Sequence, residues 1–158
     1  MTAQEEQAVV DPLALEQQVC FALSLAARGV VAVYKPLLEP MNLTHPQYLV
    51  MLALWQHAPL SVKDLSHLLQ LDPGTLSPLL KRLEAAGYVR RERDRRDERQ
   101  LSVTLTESGQ ALRADAERIP PAVVQRLDMD LADLKQLHGM LTEVIKAAQL
   151  AAAAVAPL

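Results

Sequence analysis

Sulfur is scarce in this chain: of its 158 residues one is cysteine, Cys20. That excludes an intrachain disulfide and any zinc site built from several thiolates. His57, His67 and His138 show no ligand spacing, so no metal site is expected, and nothing in the sequence asks for another cofactor. Aromatic residues make up 3% and glycines number five, while Ala and Leu recur throughout. This balance favours helix over sheet, because Ala and Leu are strong helix formers and strands draw on aromatic side chains. No apolar run continues uninterrupted for the roughly 20 residues a bilayer requires. Met1–Asp11 carries Glu5 and Glu6 where a secretory leader has a basic start. A soluble cytoplasmic protein without membrane contact is the expectation.

Half of the composition is apolar and 22% is charged, which suits one folded domain. The formal net charge of −3 hides an uneven distribution: eight of the sixteen Lys and Arg residues fall within residues 81–99. A focused cationic patch on an acidic body is what a protein needs to touch phosphates at one place only.

Periodicity predicts a first helix over Leu13–Tyr34, stopped by Pro36 and Pro40. Its apolar residues lie on nearly every face, so it needs cover on more than one side, and a second subunit is the expected cover. Thr44, Pro46 and Gln47 form a capping signature for a helix that ends near Pro59. Ser61 with Asp64 opens a short helix through Leu69. Asp72-Pro73 opens another, with Leu76, Leu79, Leu80 and Leu83 on one face and Gly87 at its end. Pro78 lies inside that helix and is expected to loosen its start. Tyr88–Arg93 and Leu101–Leu105 then read as two strands around a charged tip. A helix over Thr106–Ile119 is expected to end before Pro120-Pro121, and a last one to cover Asp130–Ala154. The fold class is therefore mainly α: a winged helix-turn-helix with a two-stranded β wing, flanked by helices from both termini.

Two capped helices followed by a basic hairpin are suited to double-stranded DNA. A helix N-terminus enters the major groove, where base edges are distinguishable. Gly74, Thr75, Ser77, Pro78, Lys81 and Arg82 lie away from the leucine face and are the candidate contacts. Arg95, Arg96 and Arg99 on the hairpin can reach a neighbouring minor groove, with Asp97 pairing with Arg99 to organise the tip. A merely solvated charged face is the bland reading of residues 81–99. The capped helix pair and the strand pattern that follows favour DNA.

The run Leu71–Glu84, then Asp97-Glu98-Arg99 and Leu105-Thr106-Glu107-Ser108-Gly109, resembles the MarR family of winged-helix repressors. Val19–Leu23, Tyr34–Leu38, Pro46-Gln47-Tyr48 and Leu54-Trp55 look like its organic-hydroperoxide-sensing branch, OhrR, of the one-cysteine type. The resemblance covers about Leu13–Leu150. It implies a homodimer on a pseudo-palindromic operator. Within one domain, 1–158, residues 13–40 and 106–154 would form the helical dimerisation region and 44–105 the DNA-binding region.

A free cysteine is commonly a small buried hydrophobe. The resemblance instead puts Cys20 at the sensing position, where its thiolate would attack an organic hydroperoxide to give a sulfenic acid. With no second cysteine in the chain, a small cellular thiol would cap that product. The family supplies tyrosine hydroxyls near the sulfur, from the partner subunit. Tyr34 matches one such position, whereas His45 stands at a second and Ser24 at a third. His45 is open to two readings, a donor to Cys20 that is stronger if protonated, or an exposed first-turn residue. Tyr48 and Trp55 are expected in the core. Release by a small aromatic or amphipathic ligand is the alternative signal. An enzymatic peroxidase is disfavoured by the lack of a peroxidase motif and of a resolving cysteine.

Overall fold

The computed structural model describes residues 11–155; the leader reading on Met1–Val10 and the last three residues lie outside the described residues. A 3-10 turn at Leu15–Gln17 precedes α1, Val19–Leu38. The helix starts later than its apolar spacing predicts. Gln18 is extended, and its side chain donates to the carbonyls of Pro12 and Ala14 at 2.9 and 3.1 Å, holding the preceding residues in a turn. At the other end α1 runs through Pro36 instead of stopping there. Two residues from the helix end, the missing N–H costs one bond, to the carbonyl of Ala32. A second 3-10 turn, Glu39–Met41, closes on Asn42 in the left-handed region, φ 55°.

Thr44 caps α2, His45–His57, with a complete capping box: its hydroxyl accepts the Gln47 amide, and Gln47 Oε1 accepts the Thr44 amide. Ser61 caps α3, Val62–Leu69, by accepting the Asp64 amide at 3.0 Å. The DNA-type second helix is α4, Pro73–Ala85. It ends in a Schellman arrangement: Gly87, at φ 81°, donates to Glu84, and Tyr88 donates to Leu83.

The wing strands are joined by a third that periodicity did not reveal. Leu60–Ser61 (β1), Val89–Arg93 (β2) and Leu101–Leu105 (β3) form an antiparallel sheet in the order β1-β3-β2, with Leu60 opposite Val103 and Arg91 opposite Val103 from the other side. Two residues are too few to display a period of two. After β3, Thr106 caps α5, Glu107–Ala116. The helix expected over 106–119 is α5, which ends at Ala116 ahead of the prolines, and a further helix that was not expected, α6, Ile119–Leu127, begins at the proline pair. Pro120 and Pro121 occupy its first turn, where an N–H has no intrahelical partner to lose. The last helix, α7, is Leu131–Val155.

The core gathers Leu38, Met51 and Leu54 from α1 and α2, Leu65 from α3, Leu76, Leu80 and Leu83 from α4, and Val89 and Val103 from the wing. Tyr48 is buried and the Trp55 indole N–H donates to the Gly109 carbonyl at 2.9 Å, so both belong to this packing. Gly109 sits so close to β2 that an added Cβ would lie 2.0 Å from the Tyr88 carbonyl oxygen. By contrast α7 has no buried residue, and Leu38 alone is buried in α1. By length and mean hydropathy the stretch Val19–Met41 is apolar enough to cross a membrane. Arg28, Lys35 and Glu39 interrupt it, and it packs on α2 and α6.

Candidate nucleic-acid interface and thiol site

The leucines of α4 decide which of its residues face outward. With Leu76, Leu80 and Leu83 buried, Gly74, Thr75, Ser77, Pro78, Lys81 and Arg82 are all exposed. Asp72 stands at the N-cap but its carboxylate accepts no amide; the Thr75 and Leu76 amides go to its backbone carbonyl at 3.0 and 2.9 Å. Pro73 starts the helix, and a Cβ added at Gly74 would meet nothing within 4 Å, so the first turn is open to an approaching surface. Pro78 leaves the Gly74 carbonyl without its usual donor, on the solvent side, while the helix stays continuous. Arg82 lies about 10 Å farther along the axis than Thr75. It lines a groove with Glu39, Asn42, Thr44 and Gln47.

The hairpin tip is shaped by aspartates acting on backbone amides. Asp94 accepts the Arg96 amide at 2.7 Å and Asp97 accepts the Arg99 amide at 3.1 Å. The expected side-chain pair between Asp97 and Arg99 is therefore replaced by a contact to the Arg99 main chain. A carboxylate two residues upstream reaches that amide more directly than it reaches the far end of a guanidinium. The guanidinium groups of Arg95, Arg96 and Arg99 are exposed and enter no ion pair among the described residues. Arg91 does the opposite. Its Nε meets Glu84 at 2.6 Å and ties β2 to α4, which sets the wing relative to the helix.

Two residues that the linear charge pattern passed over join this surface. Lys63 and His67 of α3 line one cleft with Pro73 of α4 and Arg99 of the wing. Lys63 is an isolated cation in the acidic first half of the chain, so its place beside Arg99 comes from the folded arrangement. The spacing of Lys63 and His67, one helical turn apart, was the available signal.

Cys20 is the second residue of α1 and is exposed. Among the described residues the N-cap, Gln18, makes no side-chain cap there, and a helix N-terminus favours negative charge. Ser24, in the third position flagged for a donor, gives its hydroxyl to the Cys20 carbonyl at 2.9 Å. Tyr34, His45 and Tyr48 form an aromatic trio, with Tyr34 and His45 edge to face at 4.9 Å between ring centroids. His45 is half-buried rather than a bare surface residue, and burial pulls its pKa below the ordinary 6.5. Near neutral pH it is thus an uncharged donor or acceptor, and the protonated form is disfavoured. Burial raises both tyrosines, with the neighbouring Tyr34 charge adding to the effect at Tyr48. Fourteen residues of helix separate Cys20 from Tyr34, about 21 Å along the axis. A single chain does not bring the thiol to the trio. Beside His45, a groove is lined largely by the apolar atoms of Val31, Ala32, Leu43 and Pro46, with Arg28 and Lys35 at its rim.

Comparisons with known proteins bear on both halves of this geometry. A family described as transcriptional regulator SarA/Rot matches residues 32–115. The HTH-type transcriptional regulator TtmR of Methylorubrum extorquens (strain PA1) is 48% identical over 127 residues, 80% of this chain; the chain spans 65% of that protein's length. The organic hydroperoxide resistance transcriptional regulator of Bacillus subtilis (strain 168) is 42% identical over 136 residues, 86% of this chain and 92% of that protein. Among solved structures, reduced AbfR bound to DNA, a Staphylococcus epidermidis protein, is similar with a TM-score of 0.70 and 34% identity, covering 85% of this chain and 94% of that one. Disulfide-formed AbfR is similar with a TM-score of 0.60 and 33% identity, covering 85% and 90%.

Proposed function

Because this chain belongs to the SarA/Rot and MarR type of winged-helix transcriptional regulators, we propose that it is a cytoplasmic homodimeric repressor that leaves its operator when an organic hydroperoxide oxidises Cys20. The DNA-binding half of this reading uses the first turn of α4 in the major groove and the wing arginines beside it. Gly74, Thr75, Ser77, Pro78, Lys81 and Arg82 supply the helix contacts. Arg95, Arg96 and Arg99 supply those of the wing, held in shape by Asp97.

The observation that carries the sensing half is an exposed thiol at a helix start, on a helix whose apolar faces its own chain leaves open. Val19 is 70% exposed, so the surroundings of the sulfur attract the hydrocarbon part of a peroxide. The thiolate attacks one peroxide oxygen and the O–O bond breaks. The sulfur is oxidised to a sulfenic acid, and the departing alkoxide takes a proton to become an alcohol. A small cellular thiol then condenses with the sulfenic acid, releasing water and leaving a mixed disulfide. Tyr34 and His45 of a second copy are the donors, since those of the same chain lie a helix-length away. Bulk added at Cys20 shifts α1 and with it the separation of the two α4 helices. That AbfR is solved in a disulfide-formed state supports cysteine chemistry in this architecture.

Operator binding before and after hydroperoxide, for wild type and Cys20→Ser, tests the reading. Release of wild type alone is expected; equal release of both proteins sinks the redox mechanism. The apolar groove beside His45 favours a second reading, release by an amphipathic ligand without cysteine chemistry. Replacing Arg95, Arg96 and Arg99 by Ala is expected to abolish operator binding and flatten its salt dependence.

A further inference from the structure

Residues 39–44, the turn between α1 and α2, form a wall with an opening on each side. On one side Glu39, Leu43 and Thr44 line the groove that holds Lys35 and His45. On the other, the same three residues face Arg82 and Ala86 at the end of α4. A hydrogen bond crosses beside this second groove: the Tyr88 hydroxyl donates to the Met41 carbonyl at 2.8 Å, linking positions 47 residues apart. Tyr88 is also fixed to its own surroundings, because its amide donates to Leu83 and its carbonyl accepts the Thr106 amide. It therefore joins the turn to the end of α4 and to the start of the wing.

The turn is poorly suited to absorbing a displacement. Leu38, Met41 and Leu43 are buried, Asn42 is left-handed, and the Thr44 capping box locks the exit. Close-packed elements of this kind move as units and pass strain on.

We propose that Tyr88 is a positioning residue that transmits movement of the α1–α2 corner to the DNA-reading helix through its hydrogen bond to Met41. The proposal rests on the sensing reading for the origin of the movement at Cys20; the coupling itself does not depend on oxidation.

Tyr88→Phe removes one hydroxyl and keeps the ring. The variant is expected to fold, with Tm lower by about 3 °C. Reduced, it binds operator within about threefold of wild type, and hydroperoxide oxidises its Cys20 at the wild-type rate, read by mass. The dose needed for release nevertheless rises by about tenfold. Release at the wild-type dose, or loss of operator binding in a folded variant, overturns the proposal. Linkage supplies a second arm without oxidant, since a coupling acts in both directions. Operator DNA is expected to slow amide hydrogen exchange over residues 39–47 in wild type and not in Tyr88→Phe. Equal slowing in both proteins, or none in wild type, overturns the coupling. Failure of hydroperoxide to release wild type, with this exchange difference present, removes the sensing reading alone.

Discussion

Leu80 in α4 is 1% exposed, whereas Ile145 in α7, a side chain of the same size, is 55% exposed. The two stand for two regions. From Thr44 to Leu105 the chain caps its own helices, pairs its own strands and buries Leu54, Leu65, Leu76, Leu80 and Leu83. In α1 and α7 it presents Val19, Leu25, Val31, Leu137, Met140 and Val144 to solvent instead. Helices in proteins gain most of their stability from packing. The winged region thus holds most of the buried core, and in the proposed dimer the terminal helices are the part that a second copy covers.

The contrast can be broken from either side. Leu80→Ala should cost about 3 kcal/mol, by lost transfer energy and the cavity left behind, read as a fall in urea midpoint. Ile145→Glu should leave the winged region within about 0.5 kcal/mol. It should also dissociate the dimer, seen by sedimentation, and weaken operator binding by about a hundredfold as bivalent attachment is lost. An unaltered dimer would remove α7 from the proposed interface. Gly109→Ala should cost about 2 kcal/mol, because the methyl group meets a backbone carbonyl that is itself hydrogen-bonded to Thr106. Thr44→Ala should cost about 1 kcal/mol with the loss of the capping box.

The smallest effect is a pH dependence at the boundary between the regions. Because burial lowers the His45 pKa, the unfolded chain binds protons more readily than the folded one as pH falls below the ordinary 6.5. Stability is therefore full above that pH and declines as pH drops through it toward the lower folded value. The tyrosines add the opposite limb: with Tyr34 and Tyr48 raised, stability falls as pH climbs past 10.0. Thermal melts of wild type and His45→Gln between pH 5 and pH 8, about the range in which a histidine titrates, should converge at the alkaline end and separate at the acidic end.

Much of the winged region is legible in the linear order of residues because its signals are local. Thr44 with Gln47, Ser61 with its amide three residues on, and Gly87 after the leucines each act within one turn of chain. The alternation of Leu101, Val103 and Leu105 marks a strand without reference to its partner. What escaped depends on distant pairing. Strand β1 exists because Leu60 meets Val103, and Lys63 gains its company only when α3 is laid beside the wing. The proline pair at 120–121 is compatible with a helix ending or beginning, and packing of Ile119 and Val123 decides for a beginning. Of the thiol site, Cys20 and Tyr34 are visible by position. Their separation along one helix follows already from the predicted span Leu13–Tyr34, which contains both; that His45 and Tyr48 pack on Tyr34 appears only in the fold.

The indole of Trp55 gives the molecule an intrinsic optical probe. It is the chain's one tryptophan and donates to Gly109 at the joint of α2 and α5. Its emission therefore reports the packing of α2 in the winged region against α5, the first helix beyond it. A titration in which subunits separate while fluorescence holds steady would show optically that this packing does not need the second copy.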